Sequence, residues 1–545
     1  MIRNGGRLVV DSLLAEGVDT VFTVPGESFL PVLDALYDPA EPIRLVSSRH
    51  EEGAGFAAEA WAMATGRAGV LMVTRGPGVT NASIALHTAM QNSTPLVVFV
   101  GQIPTEQRYR EAFQEVDLVS YLSPIVKWAI EIPQTGRIPE LVRQAFRVAQ
   151  SGRPGPVVVG LPEDVLFGEA DVATLPPVRR LDPGVSEDAL LQAAMLLAGA
   201  ERPLVVAGRE VAGVAGQAAV QELARAWELP VMTAFRRFDA YPNQDDHYVG
   251  PIALGAPPQA LAAVREADVV LVLGERLDEI TTGGYEFMRD ATVIHVLKDA
   301  TSSGTWGSTV LAITADPTAF AKLLAGRDVK PRHDGSVAAL REAWLQLGEP
   351  EEPFTEGGVN ISAALSSIKR QAPPDTALIT DAGNFAGWVP RFYRFTRPHT
   401  HFAPLSGAMG YAAPAAVGVA LARKGKRVVA LAGDGGFAMT MNELATFKAH
   451  NLPITMVVFV NGVHGTIRMH QQKHYPGRPI ATDLTNPSFA ELARTFGLQA
   501  WTVTSNPEFD EALQQSLSSD QPTLIEVIEG KERLSAWGKA AGSPA

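Results

Sequence analysis

The sequence predicts an α/β protein built from three doubly wound parallel-sheet domains. Short runs of branched apolar residues alternate with helix-period segments, and they fall into three groups separated by polar stretches rich in Gly and Pro. Strand–helix alternation of this kind puts parallel strands in one sheet with helices on both faces. A chain of 545 residues is also too long for a single core.

The first domain is expected over residues 1–166. Its opening stretch, MIRNGGRLVVDSLLAEGV, reads as the start of a helix and lacks a signal-peptide pattern. Its expected strands are Val70–Thr74, Leu96–Val100 and Val157–Gly160. The segment GEADVATLPPVRRLDPGVSED leads into a central domain over 187–345, with strands Pro203–Ala207, Val269–Leu273 and Val293–Val296. The acidic linker GEPEEPFTEGG precedes a third domain over 357–530, with strands Ala377–Thr380, Arg427–Leu431 and Thr455–Val460. Residues 531–545 form a tail. Ligands of such sheets gather outside the carboxyl ends of the strands, so the residues just after each strand are the first candidates for function.

Composition removes several classes of function. A net charge of −13 and the lack of a basic stripe argue against a nucleic-acid partner. No apolar run approaches the roughly 20 residues of a membrane span. The chain has no cysteine, which excludes disulfides, thiolate catalysis and zinc–thiolate sites and suits a reducing, cytoplasmic setting.

The most informative segment is RVVALAGDGGFAMTMNELATFKAHNLPITMVVFVNG. A buried strand delivers Gly433, Asp434, Gly435 and Gly436. A helix is expected from about Thr440 to His450, and a second strand ends at Asn461-Gly462. Asp434 and Asn461 are 27 residues apart, yet a β-α-β unit sets both at one sheet edge. A carboxylate, an amide oxygen and a main-chain carbonyl are hard ligands of the kind Mg²⁺ takes together with diphosphate oxygens and water. The glycines let main-chain N–H groups approach the phosphates. Alone, Gly-Asp-Gly is equally a plain turn; the composite is far more specific.

This composite resembles the signature of thiamine-diphosphate enzymes, and the likeness to the acetolactate synthase branch covers nearly the whole chain. It implies two thiamine-diphosphate-binding domains around a Rossmann-like central one, with Mg²⁺ on Asp434, Asn461 and the carbonyl of Val463. In SSRHEEGAGF, Glu51 matches the Glu that hydrogen-bonds N1′ of the aminopyrimidine and so promotes loss of the thiazolium C2 proton. Read from the residues alone, Glu51 and Glu52 are equally solvated acids at a helix start. In the family this Glu reaches the diphosphate site across a subunit boundary, which implies at least a homodimer, commonly a homotetramer. Gly407 and Met409 match main-chain contacts to the aminopyrimidine, and Met409 also matches the wedge that bends the cofactor, although a core role fits that side chain as well. Gly383, Asn384 and Phe385 match a second diphosphate contact, where synthases usually carry Gln-His.

The resemblance also implies a 2-ketoacid or aldehyde substrate. Phe113, Gln114 and Lys127 would border its pocket, the alternative being surface polarity. Glu27 is read either as a proton relay or as a helix N-terminal acid. Ile280 stands where synthases carry an Arg for the second ketoacid, and His470 where they carry a Trp. His464 and Ile467 complete the expected pocket. Losing that cation and that aromatic should change the acceptor, so a lyase or decarboxylase acting on an aldehyde, hydroxyketone or other ketoacid is the alternative to a carboligase. FAD, which some of these synthases hold, is possible but not supported: no GxGxxG follows the strand at Val205–Ala207.

Overall fold

The computed structural model describes residues 2–37, 43–179, 181–252, 256, 258–305, 307–327, 337–348, 358–529 and 536. The expected tail therefore lies outside the described residues except for Ala536. Three six-stranded sheets account for almost all the strands, and every pairing within them is parallel.

The first sheet runs Arg44–Ser47, Thr20–Thr23, Gly69–Val73, Leu96–Gln102, Pro156–Pro162, Trp128–Glu131 in space. The third runs His401–Phe402, Ala377–Thr380, Val428–Gly433, Ile454–Val460, Thr523–Ile528, Gln499–Val503. Numbered along the chain, both have the order 2-1-3-4-6-5, so one topology occurs twice. The central sheet runs Tyr248–Pro251, Val231–Thr233, Pro203–Ala207, Val269–Leu273, Thr292–Leu297, Thr309–Thr314. Its order, 3-2-1-4-5-6, is that of the Rossmann fold. In each sheet the order reverses beside the first strand, which opens a crevice at the carboxyl edge.

One apolar core spans the first and third sheets, joining Phe56, Trp61 and Leu86 to Tyr411, Val417 and Phe437. At its centre the helix Glu51–Thr65 crosses the helix Ala412–Ala422. The second of these is apolar all round, as a fully buried helix must be. The crossing is close enough that a Cβ on Gly418 would lie 1.9 Å from the carbonyl oxygen of Ala57, so only glycine fits there. Separate clusters cover the two faces of the central sheet.

The helix expected from Thr440 begins earlier. It starts at Asp434, runs to Thr440, passes through a 3-10 turn at Met441–Glu443 and resumes over Leu444–Ala449. Asp434 favours the early start because its carboxylate accepts the N–H of Gly435 at 2.8 Å, within the first turn.

Candidate active site

In the third sheet the crevice lies between Ala377–Thr380 and Val428–Gly433. It opens into a cavity of about 420 Å³. Of the residues expected from sequence, the structure brings Gly383, Asn384, Phe385, Gly407, Met409, Gly433, Asp434, Gly435, Gly436, Asn461, Val463, His464 and Ile467 to its wall.

Strand ends position the polar groups. Asp434 is buried; its second carboxylate oxygen accepts from the N–H of Gly462 at 2.8 Å and from the amide of Asn486 at 2.9 Å. Burial raises its pKa, and the N–H groups of Gly462 and Gly435 offset part of that rise. The amide of Asn461 donates to Glu529 at 2.6 Å, while its oxygen accepts from the N–H of Val463 at 3.1 Å. Burial, and then the nearby charge of Asp434, pushes the Glu529 carboxyl up to about 8.

Two carboxyl groups thus share this edge, and among the described residues no cation pairs with either. A divalent cation would relieve both, and the donors are the hard oxygens such an ion takes. No group of three His, Cys, Asp or Glu side chains gathers among the described residues, so an ion here would also need amide, main-chain and ligand oxygens. The wall has room for a polyanion. Nothing lies within 4 Å of a Cβ placed on Gly407, and Gly383 has a φ of +146°, which exposes bare main chain beside Asn384. Asn384 is fixed by the hydroxyl of Thr466, which donates to its oxygen at 2.9 Å. Phe385 packs on Phe459 with ring centres 5.8 Å apart.

Sequence reasoning missed Asp381, Asn486, Glu529 and Arg236. Asp381 is buried and accepts the N–H groups of Ala382 at 2.7 Å, Gly410 at 3.0 Å and Ala412 at 3.1 Å. It therefore ties the loop of Gly407 and Met409 to the sheet. Burial raises its pKa to about 6. Its signal was its place directly after a buried strand. Glu529 carried the same signal, directly after the buried strand Thr523–Ile528, whereas Asn486 and Arg236 arrive from distant segments with none so close.

The remaining candidates lie elsewhere. Glu27, Glu51 and Gln114 lie past strand ends of the first sheet, each beside a residue of the segment Arg75–Asn81. Glu51 opens the helix Glu51–Thr65 and accepts from the amide of Asn81 at 3.0 Å. Glu27 is largely exposed and pairs with Arg75 at 3.4 Å. The carbonyl oxygen of Gln114 lies 2.7 Å from where a Cβ on Gly76 would sit. Phe113 is 73% exposed. None of these lines the 420 Å³ cavity. It is Glu52 that faces the third sheet of its own chain: burial raises its pKa, the charge of Asp381 adds to the rise, and His50 opposes it.

Lys127 is drawn away from any such edge. Its ammonium donates to the carbonyls of Val148 and Ser151, both at 2.6 Å, at the end of the helix Ile138–Gln150. Ile280 borders a different cavity with Tyr285 and Leu405. His470 is exposed and stacks on His474.

The crevice of the central sheet offers no glycine-rich phosphate turn. Gly208 leads into the 3-10 turn Arg209–Val211, and Glu210 and Glu275 line the opening there. The same opening is also lined by Arg153, Arg209, Arg237, Arg276 and Lys298, so it lacks the GxGxxG turn but not positive charge for a phosphate. Among the described residues no helix is long and apolar enough to cross a membrane.

Comparison with known proteins agrees with the doubled sheet. Residues 3–121 match the model of the thiamine pyrophosphate enzyme N-terminal TPP binding domain, residues 190–324 the central domain and residues 381–527 the C-terminal TPP binding domain. The probable acetolactate synthase large subunit of Methanocaldococcus jannaschii is 32% identical, over 96% of this chain and 91% of its own. The acetolactate synthase isozyme 2 large subunit of Escherichia coli is also 32% identical, over 96% and 95%. Among solved structures, the thiamine diphosphate-dependent 4-hydroxybenzoylformate decarboxylase of Rhodococcus jostii shares the fold, with a TM-score of 0.84 and 24% identity over 97% of this chain and 99% of that one. With two thiamine pyrophosphate-binding domains flanking a central one, and full-length likeness to these synthases, the chain belongs to the thiamine pyrophosphate enzymes of the acetolactate synthase large-subunit family.

Proposed function

We propose that the protein is a Mg²⁺- and thiamine-diphosphate-dependent enzyme that decarboxylates a 2-ketoacid and ligates the remaining acyl unit to a second carbonyl compound. The observation that carries this reading is the pair Asp434 and Asn461 beside bare glycine main chain at the switch point of the third sheet. When bound, the coenzyme supplies a nucleophilic carbon and an electron sink for the carbon–carbon bond that breaks.

The chain's own groups then have separate tasks. Asp434, Asn461 and the Val463 carbonyl hold the metal. Main-chain N–H groups near Gly383–Phe385 and Gly433–Gly436 meet the diphosphate. Gly407 and Met409 hold the aminopyrimidine, with Asp381 fixing their loop. Glu51 holds a proton at N1′, supplied from a second copy of the chain because it is not at its own chain's cavity. A homodimer is therefore the smallest complete unit in this reading, with a homotetramer as its pairing. Glu27, Phe113 and Gln114 would reach the substrate side with Glu51, while His464 and Ile467 form the opposite wall. A reducing cytoplasm suits a chain without cysteine.

A second reading, a lyase or decarboxylase acting on an aldehyde, hydroxyketone or non-pyruvate ketoacid, is favoured by Ile280 and His470. Neither supplies a cation or an indole to the cavity. Both readings are tested on EDTA-stripped, gel-filtered protein given pyruvate and a panel of ketoacids and aldehydes, with products read by mass spectrometry. Turnover should return only with thiamine diphosphate and Mg²⁺ together; return without any divalent ion would remove the metal site. Acetolactate from pyruvate supports carboligation, and acetaldehyde or an aldehyde-derived product supports the second reading.

A further inference from the structure

Arg236 reaches the cavity from the central domain, outside both cofactor-binding sheets. It follows the strand Val231–Thr233 in a tight turn closed by the N–H of Arg237, which donates to the carbonyl of Ala234 at 3.0 Å. Its backbone is left-handed, with φ +54°, a conformation that an arginine adopts only when its surroundings hold it there. The residue is 8% exposed and lines the 420 Å³ cavity together with Gly407, Met409 and Asp434.

A buried guanidinium normally has a carboxylate partner. Among the described residues Arg236 makes no ion pair, and its guanidinium donates to the main-chain carbonyl of Pro404. The nearest acid by its electrostatic effect is Asp381, whose oxygens are already taken by three N–H groups. Burial pulls the guanidinium down to about 10, which leaves it charged at neutral pH. Pro404 is three residues before Gly407, so Arg236 stands at the Gly407–Met409 end of the cavity rather than among the oxygen donors around Asp434 and Asn461.

We propose that Arg236 is a specificity-determining residue whose guanidinium receives the carboxylate of an anionic substrate entering this cavity. The inference rests on the reading of the cavity as the active site. Planar two-point recognition of a carboxylate is what a guanidinium offers and an ammonium does not.

The test compares wild type with Arg236→Lys, Arg236→Met and Arg236→Gly, each loaded with Mg²⁺ and thiamine diphosphate. Glycine accepts the left-handed turn without strain, so that variant keeps the loop even if the methionine variant does not fold. Calorimetry measures the affinity of oxamate, of its neutral analogue ethyl oxamate, and of thiamine diphosphate itself. Oxamate should bind about 10- to 100-fold more weakly to the Met and Gly variants and recover in part with Lys, as expected for loss of a charge-assisted pair. Ethyl oxamate and the coenzyme should keep their affinities. Parallel losses for oxamate and its ester, loss of coenzyme affinity, or unchanged oxamate binding would each overturn the assignment. Wild-type protein that takes up no coenzyme sinks the proposed function itself; wild type that takes it up yet does not prefer oxamate to the ester sinks only the role of Arg236.

Discussion

Glu210 shows how burial governs a single carboxyl group. It follows a central strand, and burial pushes its pKa from 4.5 up to about 7, while the N–H of Lys298, donating at 3.0 Å, works in the other direction. The fold therefore favours the neutral acid. Its contribution to stability is complete below pH 4.5 and is lost as pH rises through about 7. Glu210→Gln keeps the volume and an oxygen for Lys298 but cannot ionise. The melting temperature of the variant, relative to wild type, should rise as the buffer moves from about pH 5 to about pH 8. A gap that does not change with pH would show that Glu210 is not the titrating group. At this scale much of the candidate site was legible: Asp434 and Asn461 stood directly after buried strands in sequence, and the structure sets them at one cavity. Glu529 also follows a buried strand, Thr523–Ile528, but its contact with Asn461, 68 residues away in the chain, is set only by the packing of the two strands.

At the scale of elements, most interior strands were readable, while the interior strands Thr20–Thr23, Val231–Thr233 and Thr523–Ile528 were missed along with the outer ones. Pro203–Ala207, Val269–Leu273 and Ala377–Thr380 have the bounds expected from their apolar runs, because central parallel strands are covered on both faces. Arg44–Ser47 at one edge exposes three of its four residues, and His401–Phe402 is only two residues long, so neither leaves a pattern. Lys127 makes the same point for a helix end. Read as a pocket residue, it instead donates to two carbonyls at the close of Ile138–Gln150, that of Val148, which also accepts the N–H of Ser151, and that of Ser151 itself. Lys127→Met should cost about 1–3 kcal/mol of stability in thermal unfolding while leaving kcat/KM unchanged. A fall in kcat/KM at unchanged melting temperature would return Lys127 to the substrate.

For the whole molecule, the decisive fact is that Glu51 and Asp434 of one chain do not share a cavity. If each site takes Glu51 from one copy and Asp434 from another, Glu51→Gln and Asp434→Ala proteins should both be nearly inactive. Refolding them as a mixture should restore roughly a quarter of wild-type activity, because half of the dimers then hold one intact site. No recovery in a mixture shown by native mass spectrometry to contain heterodimers would place both residues in one chain's site or in none.

The sequence by itself determined the α/β class, most of the strands covered on both faces and the pair Asp434 and Asn461 that end two of them, since burial and turn chemistry are written locally in residue type and spacing. Only the tertiary structure decided the repeated strand order, the pairing of Glu529 with Asn461, the removal of Lys127 to a helix end and the arrival of Arg236 at the cavity. Each of those depends on which distant segments pack together, and packing is set by the shapes of whole surfaces rather than by any short stretch of chain.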